Sequence, residues 1–153
     1  LTDDHQPITK KMNEEKRILG IDYGRKRIGL SISDPLGIIA TPVDTVNRKK
    51  VIERIQEILV EFKLKKIIIG YPLRSDGEKG RSTEEVEKFA QLIEKTFGIE
   101  IELWDERYST IEAERIMRDA GKSSSREKRK VDMIAAAVIL QSYLDERGGE
   151  DKV

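Results

Sequence analysis

The chain has 153 residues, 29 lysines and arginines against 29 aspartates and glutamates, no cysteine, and 38% charged residues that sum to zero. That length suits one domain and falls short of the two lobes of large nucleotide-binding folds, while the missing cysteine excludes disulfides and thiolate metal sites. No apolar run approaches the roughly 20 residues of a membrane span and no secretory pattern opens the chain, so a soluble cytoplasmic protein with no membrane partner is expected, with any affinity for nucleic acid set by local charge.

Residues 1–16 are polar and aperiodic and read as a flexible N-terminal tail, with Met12 a candidate native start. One domain is expected over residues 17–147, followed by a flexible tail over 148–153. Arg17 to Ser33 reads as two strands joined by a tight basic turn, Arg25-Lys26-Arg27. Side chains alternate across a strand, so Leu19, Ile21 and Tyr23 share one face and Gly20, Asp22 and Gly24 the other. A carboxylate between two glycines on one face leaves bare backbone around a negative charge, which is room for a ligand. Its structural alternative is an aspartate bonding to turn amides.

Asp34-Pro35-Leu36-Gly37 is a turn by composition, and Ile38 to Val46 is a third strand that Pro42 places at a sheet edge. Such short connections make the first three strands antiparallel. Arg48 to Phe62 carries apolar residues at helical spacing and leads to a buried strand, Lys66 to Gly70. Tyr71 to Gly80 is a basic loop with Arg74 and Lys79, continued by Arg81. Ser82 and Glu85 spell a capping box for a helix that stops at Gly98, and Ile99 to Trp104 alternates as a fifth strand with Glu106 just beyond it. Ser109 and Glu112 spell a second capping box for a short helix ending by Gly121. Lys122 to Lys130 reads as a Ser-rich basic loop containing Arg126, Lys128 and Arg129. A broadly apolar helix then runs from Val131 to about Glu146, with Gly148-Gly149 as its stop.

Right-handed crossovers place the fourth strand beside the first and the fifth beyond it. The expected fold is therefore α/β, a five-stranded mixed sheet of order 3-2-1-4-5 with three antiparallel strands, then two parallel ones, and helices on both faces. Ligands in such sheets collect at the carboxyl ends of strands near the switch in order. Asp22 lies at one such end and Glu106 follows another. Asp132 is the one charged side chain in an otherwise apolar stretch, on a face with Ala135 and Ala136 that lets its helix approach the sheet. Each acid has an ordinary reading: helix-dipole pairing for Asp132, and a solvated loop for Glu106, where Asp105 and Glu102 are equally available.

Together, an all-oxygen set with His5 alone in the tail selects a hard cation, Mg²⁺ or Mn²⁺, as one or two ions. Two such ions suit phosphodiester cleavage. The cations at Arg25, Lys26, Arg27, Arg74, Lys79, Arg81, Lys122, Arg126, Lys128, Arg129 and Lys130 flank the same rim and are candidates for holding phosphates. Their ordinary reading is a solvated charged surface.

Gly20-Ile21-Asp22-Tyr23-Gly24 with Lys26-Arg27-Ile28-Gly29, Ser33-Asp34-Pro35-Leu36-Gly37, Gly70-Tyr71-Pro72-Leu73 with Asp76-Gly77, Asp105-Glu106-Arg107 with Ser109-Thr110, and Asp132 with Ala135-Ala136 and Leu140-Gln141-Ser142-Tyr143-Leu144 together resemble the YqgF family, in order from Ile18 to Leu144. The resemblance implies a ribonuclease H-like fold, Asp22, Glu106 and Asp132 as the catalytic and metal-binding acids, and an endonuclease of ribosome biogenesis that processes the 5′ end of pre-16S rRNA. Structured RNA, including the ribosomal small-subunit precursor, is then the expected partner of a monomer or weak dimer. The alternatives are a Holliday junction resolvase acting on branched DNA and a non-catalytic nucleotide- or RNA-binding module. Arg25 and Tyr71-Pro72-Leu73-Arg74 depart from the family pattern, and Arg25 adds a cation beside Asp22 whose two expected roles are to aid phosphate contact or to compete with metal for the carboxylate.

Overall fold

The computed structural model describes residues 15–24, 26–72, 80–105 and 124–151. The strands are β1 (Lys16–Tyr23), β2 (Arg27–Ser33), β3 (Ala40–Asn47), β4 (Lys63–Tyr71) and β5 (Glu100–Asp105). The helices are α1 (Val51–Glu61), preceded by a 3₁₀ turn over Arg48–Lys50, then α2 (Arg81–Phe97) and α3 (Ser125–Asp151). The sheet order is β3-β2-β1-β4-β5, antiparallel from β3 to β1 and parallel from β1 to β5, as the short and long connections require.

Alternation divides the apolar side chains between two cores. Leu19, Ile21, Ile28, Leu30, Ile67 and Ile69 join Ile55 of α1 and Phe89 and Ile93 of α2 on one side. Ile18, Ile68 and Trp104 meet Ile139, Leu140 and Tyr143 of α3 on the other. The two central strands contribute to both cores, as strands buried on both faces do.

Pro42 lies on β3, an edge strand, as its missing N–H demands. A bulge there shifts the register from Ser31 opposite Pro42 to Leu30 opposite Asp44. Ile38 and Ile39 belong to the preceding turn and not to the strand, because the Asp34 carboxylate accepts both of their backbone N–H groups at 2.7 and 2.9 Å. Gly37 completes that turn with φ +70°, and Gly98 ends α2 with φ +66°.

Three further expected boundaries are corrected. The N-cap of α2 is Gly80, with no side-chain capping bond, and the Thr83 hydroxyl donates to the Gly80 carbonyl, so the helix starts one residue before Ser82. Ser125 to Lys130 is helix and not loop: Ser124 Oγ accepts the N–H of Glu127, three residues on, in a Ser-x-x-Glu signal of the same kind as those read elsewhere. The Gly148-Gly149 pair does not stop α3, which continues to Asp151; among the described glycines only Gly37 and Gly98 take positive φ, so this pair stays right-handed inside the helix. The expected helix from Ser109 to Gly121 lies outside the described residues.

The sheet face beneath α3 is built from small residues. A Cβ on Gly29 would lie 1.9 Å from the backbone oxygen of Asp132, and one on Gly20 would lie 2.7 Å from Leu140 Cβ and 3.1 Å from the Ala136 carbonyl oxygen. Ser31, between them on the same face, donates to the Ala136 carbonyl at 2.8 Å. At the far end of α3, Lys66 reaches Tyr143 Oη, Glu100 and Glu102 at 3.0 to 3.1 Å. Burial works against the ammonium there, but those hydrogen bonds outweigh it and hold the lysine above its usual range.

Because the obstruction at Gly29 is helix backbone rather than a flexible side chain, Gly29→Ala is expected to destabilise the protein by about 1–3 kcal/mol in urea unfolding.

Candidate active site and nucleic-acid interface

Asp22 is the penultimate residue of β1 and pairs with Gly29 of β2. It is 1% exposed, on the face that α3 covers. The neighbouring register, Ile21 with Ile69 and Ile69 with Leu103, brings the ends of β1, β4 and β5 level with one another. Glu106, one residue past β5, lies outside the described residues.

Asp132 sits in the second turn of α3. Since its backbone rests on Gly29, and Gly29 is the cross-strand neighbour of Asp22, the two aspartates occupy adjacent positions on one side of the sheet. The carboxylate of Asp132 accepts a hydrogen bond from Arg27 Nε at 2.6 Å, an ion pair between side chains 26% and 14% exposed. Arg27, expected among the phosphate contacts, is thus engaged with an acid of the site.

Two more bonds fasten the start of α3 to the edge of the sheet. Thr45 Oγ1 donates to the carbonyl of Arg129, and the Arg129 guanidinium donates back to the Thr45 carbonyl at 2.6 Å. Between β3 and this part of the helix lies a cavity of about 410 Å³ lined by Asp44, Thr45, Arg126, Arg129, Lys130 and Met133. Arg126, Arg129 and Lys130 are exposed residues there, as is Lys26 in the β1–β2 turn, and Lys128 is half-buried. Arg25, Arg74, Lys79 and Lys122 lie outside the described residues, and so does the side chain of Arg81.

Arg48 is a residue the sequence pattern did not single out. It stacks over the Tyr23 ring with Cζ 4.4 Å from the centroid, donates to the Gly24 carbonyl at 2.9 Å and reaches Glu85 at 3.2 Å. Tyr23 in turn packs on Phe89 with ring centroids 4.5 Å apart. One cation therefore ties the basic turn beside Asp22 to the 3₁₀ turn and to α2. No local signal marks it, because its partners come from two parts of the chain distant from it, residues 23–24 and Glu85.

Among the described residues, no group of three or more histidines, cysteines, aspartates or glutamates is placed to hold a metal ion. The two acids brought to this end of the sheet are oxygen donors, one of them buried and the other already paired with a cation, and in kind they fit a hard divalent ion.

A family model described as RuvX, Holliday junction resolvase, matches residues 16–146. The chain belongs to the RuvX family. RuvX is also called YqgF, so the resemblance read from the motifs holds. A RuvX relative from Clostridioides difficile is 43% identical over 132 residues, covering 84% of this chain and 94% of its own length. One from Ruminiclostridium cellulolyticum is 42% identical over 140 residues, covering 89% and 99%. A third, from Koribacter versatilis, is 37% identical over 135 residues, covering 86% and 88%. Each carries the name "Putative pre-16S rRNA nuclease". The structure of RuvC from T. thermophilus in complex with a Holliday junction substrate superposes with a TM-score of 0.53 at 14% identity, covering 88% of this chain and 96% of that one. That likeness places the RuvX chain in the ribonuclease H-like fold. The names of its family and relatives give its coarse class, nuclease.

Arg48→Ala is expected to lower stability by about 1–2 kcal/mol in chemical unfolding, from the lost stacking on Tyr23 and the lost bond to Gly24. Hydrogen exchange should show the loss at the amides of Gly24 and its turn before the rest of the sheet.

Proposed function

We propose that this RuvX protein is a divalent-metal-dependent endonuclease acting in the cytoplasm on the precursor of small-subunit ribosomal RNA, at the 5′ end of the 16S sequence. Residues 17–147 form its catalytic domain, and Asp22, Glu106 and Asp132 are its acids. The observation that carries this reading is the seating of the Asp132 backbone on Gly29, one strand from Asp22. Acids distant in sequence thereby share one end of the sheet, level with the strand that leads to Glu106. The relatives' shared name supports ribosomal RNA as substrate.

Asp22, Asp132 and Glu106 would hold Mg²⁺ or Mn²⁺, which when bound supplies activated water and charge neutralisation for phosphodiester hydrolysis. Asp22 is fixed by strand backbone and packing, which gives a ligand a defined position with little entropy left to lose. Asp132 is positioned by the close approach of α3, and in the ion-free chain its carboxylate is paired with Arg27. The exposed cations Lys26, Arg126, Arg129 and Lys130, with Lys128, would bind the phosphate backbone and orient the strand. Arg129, held to Thr45, offers a positioned guanidinium, and Met133 gives the same cavity an apolar wall suited to a sugar or base face.

Assays on a 16S precursor fragment and on a four-way DNA junction, each with Mg²⁺, Mn²⁺ or Ca²⁺, test the reading. Cleavage of the RNA is expected with Mg²⁺ or Mn²⁺, and Asp22→Asn should slow it at least ~100-fold without lowering the melting temperature or RNA affinity. Preferential cleavage of the junction would reassign the substrate to branched DNA, and failure to cleave either would leave a binding protein. The triple change Arg126→Gln, Arg129→Gln, Lys130→Gln should weaken RNA binding and reduce the slope of log affinity against log salt by roughly 2.

A further inference from the structure

Arg27 begins β2 and lies on the same side of the sheet as Gly29, beneath the start of α3. Its Nε reaches Asp132 Oδ2 across 105 residues of sequence at 2.6 Å. Both side chains are mostly withdrawn from solvent, at 26% and 14% exposure, so the attraction is screened less than in a surface pair. Asp22 sits one strand away, buried, on that side. Two carboxylates on one side of the sheet repel one another, and a positive charge beside them offsets that repulsion. Arg27 supplies it from within the chain.

We propose that Arg27 is the resident counter-ion of the site. It neutralises Asp132 while no divalent ion is bound, and its hold on the carboxylate must be given up when an ion binds, so this arginine sets the ion affinity. The proposal rests on the reading of Asp132 as an ion ligand. Two cations of total charge three cannot crowd one pair of acids without repulsion, and the guanidinium, on a flexible stem at the rim, is the one able to move. A permanently retained Arg27 would do the opposite, holding one carboxylate oxygen so that the other faces the ion, and would strengthen binding.

The two roles differ in the sign of one measurement on the full chain. Mn²⁺ binding is measured by calorimetry and by electron paramagnetic resonance of the free ion, alongside melting temperature in EDTA and in saturating Mn²⁺. Arg27→Gln is expected to melt lower than wild type in EDTA, to bind Mn²⁺ at least about fivefold more tightly, and to gain more in melting temperature from the ion. Lys26→Gln removes the same charge from an exposed neighbour and should change the affinity less than about twofold. The gain should vanish in the double change Arg27→Gln with Asp132→Asn.

Unchanged or weaker Mn²⁺ binding by Arg27→Gln, with Asp132→Asn still weakening it, would overturn the counter-ion role and leave the ligand reading standing. Mn²⁺ binding indifferent to Asp132→Asn would overturn both. Should Arg27→Gln not fold in EDTA, Arg27→Lys decides, since it keeps the charge but loses the fixed Nε bond; tighter Mn²⁺ binding than wild type supports the proposal, and wild-type or weaker binding overturns it.

Discussion

The distance between α3 and the sheet at Gly29 governs everything at the candidate site. No side chain stands between the strand and the backbone of Asp132, and that contact decides where the helix begins to cross the sheet. Gly20, Ser31 and Ala136 continue the seam, and Leu140 and Tyr143 close it in the core between α3 and the sheet. Small residues on both sides let this helix settle so near the strands that a Cβ at Gly29 would meet its backbone. The same residues are poor strand formers, so the sheet sacrifices local propensity for proximity. Such local conflicts mark functional positions more often than faults in a fold.

Polar contacts then fix what close packing permits. Ser31 to Ala136, Thr45 to Arg129, Arg129 back to Thr45, and Arg27 to Asp132 all join the sheet to α3 within its first twelve residues. They anchor the helix along the β2–β3 side, whereas Lys66 with Tyr143 and Trp104 with Ser142 anchor it over β4 and β5. A helix tied at both ends across four strands holds Asp132 in place more firmly than a loop would. With no net charge on the chain, the electrostatics are local: buried acid at the strand ends, and exposed cations at the rim beside it.

The sheet order was readable because chain reversal and crossover handedness leave few topologies for two short connections followed by two helical ones. The two faces of β1 were readable from alternation, and Tyr23 packs toward Phe89 while Gly20 faces Leu140, as that alternation requires. Pro42 at an edge followed from its missing donor. The start of α3 was misread because its basic, Ser-rich composition suggested a solvated loop, whereas Ser124 capping Glu127 begins the helix. Its end was misread because two glycines cost a helix only about 1 kcal/mol each and need not adopt positive φ.

At the site, Asp22 and Asp132 were recognisable as acids in unusual settings. The partnership of Asp132 with Arg27 was not, since nothing local links residues 105 apart. Arg48 and Thr45 were invisible for the same reason: a tertiary hydrogen bond leaves no periodic trace in the sequence.

In the proposed function, the close approach of α3 makes Asp22 and Asp132 co-ligands of one cation. Anomalous diffraction from crystals grown with Mn²⁺ tests it most directly. Shared coordination gives a peak with an oxygen of each aspartate at roughly 2.0–2.2 Å, as hard-ion coordination requires. A peak bonded to only one of the two, or one lying on the opposite side of the sheet, would contradict it.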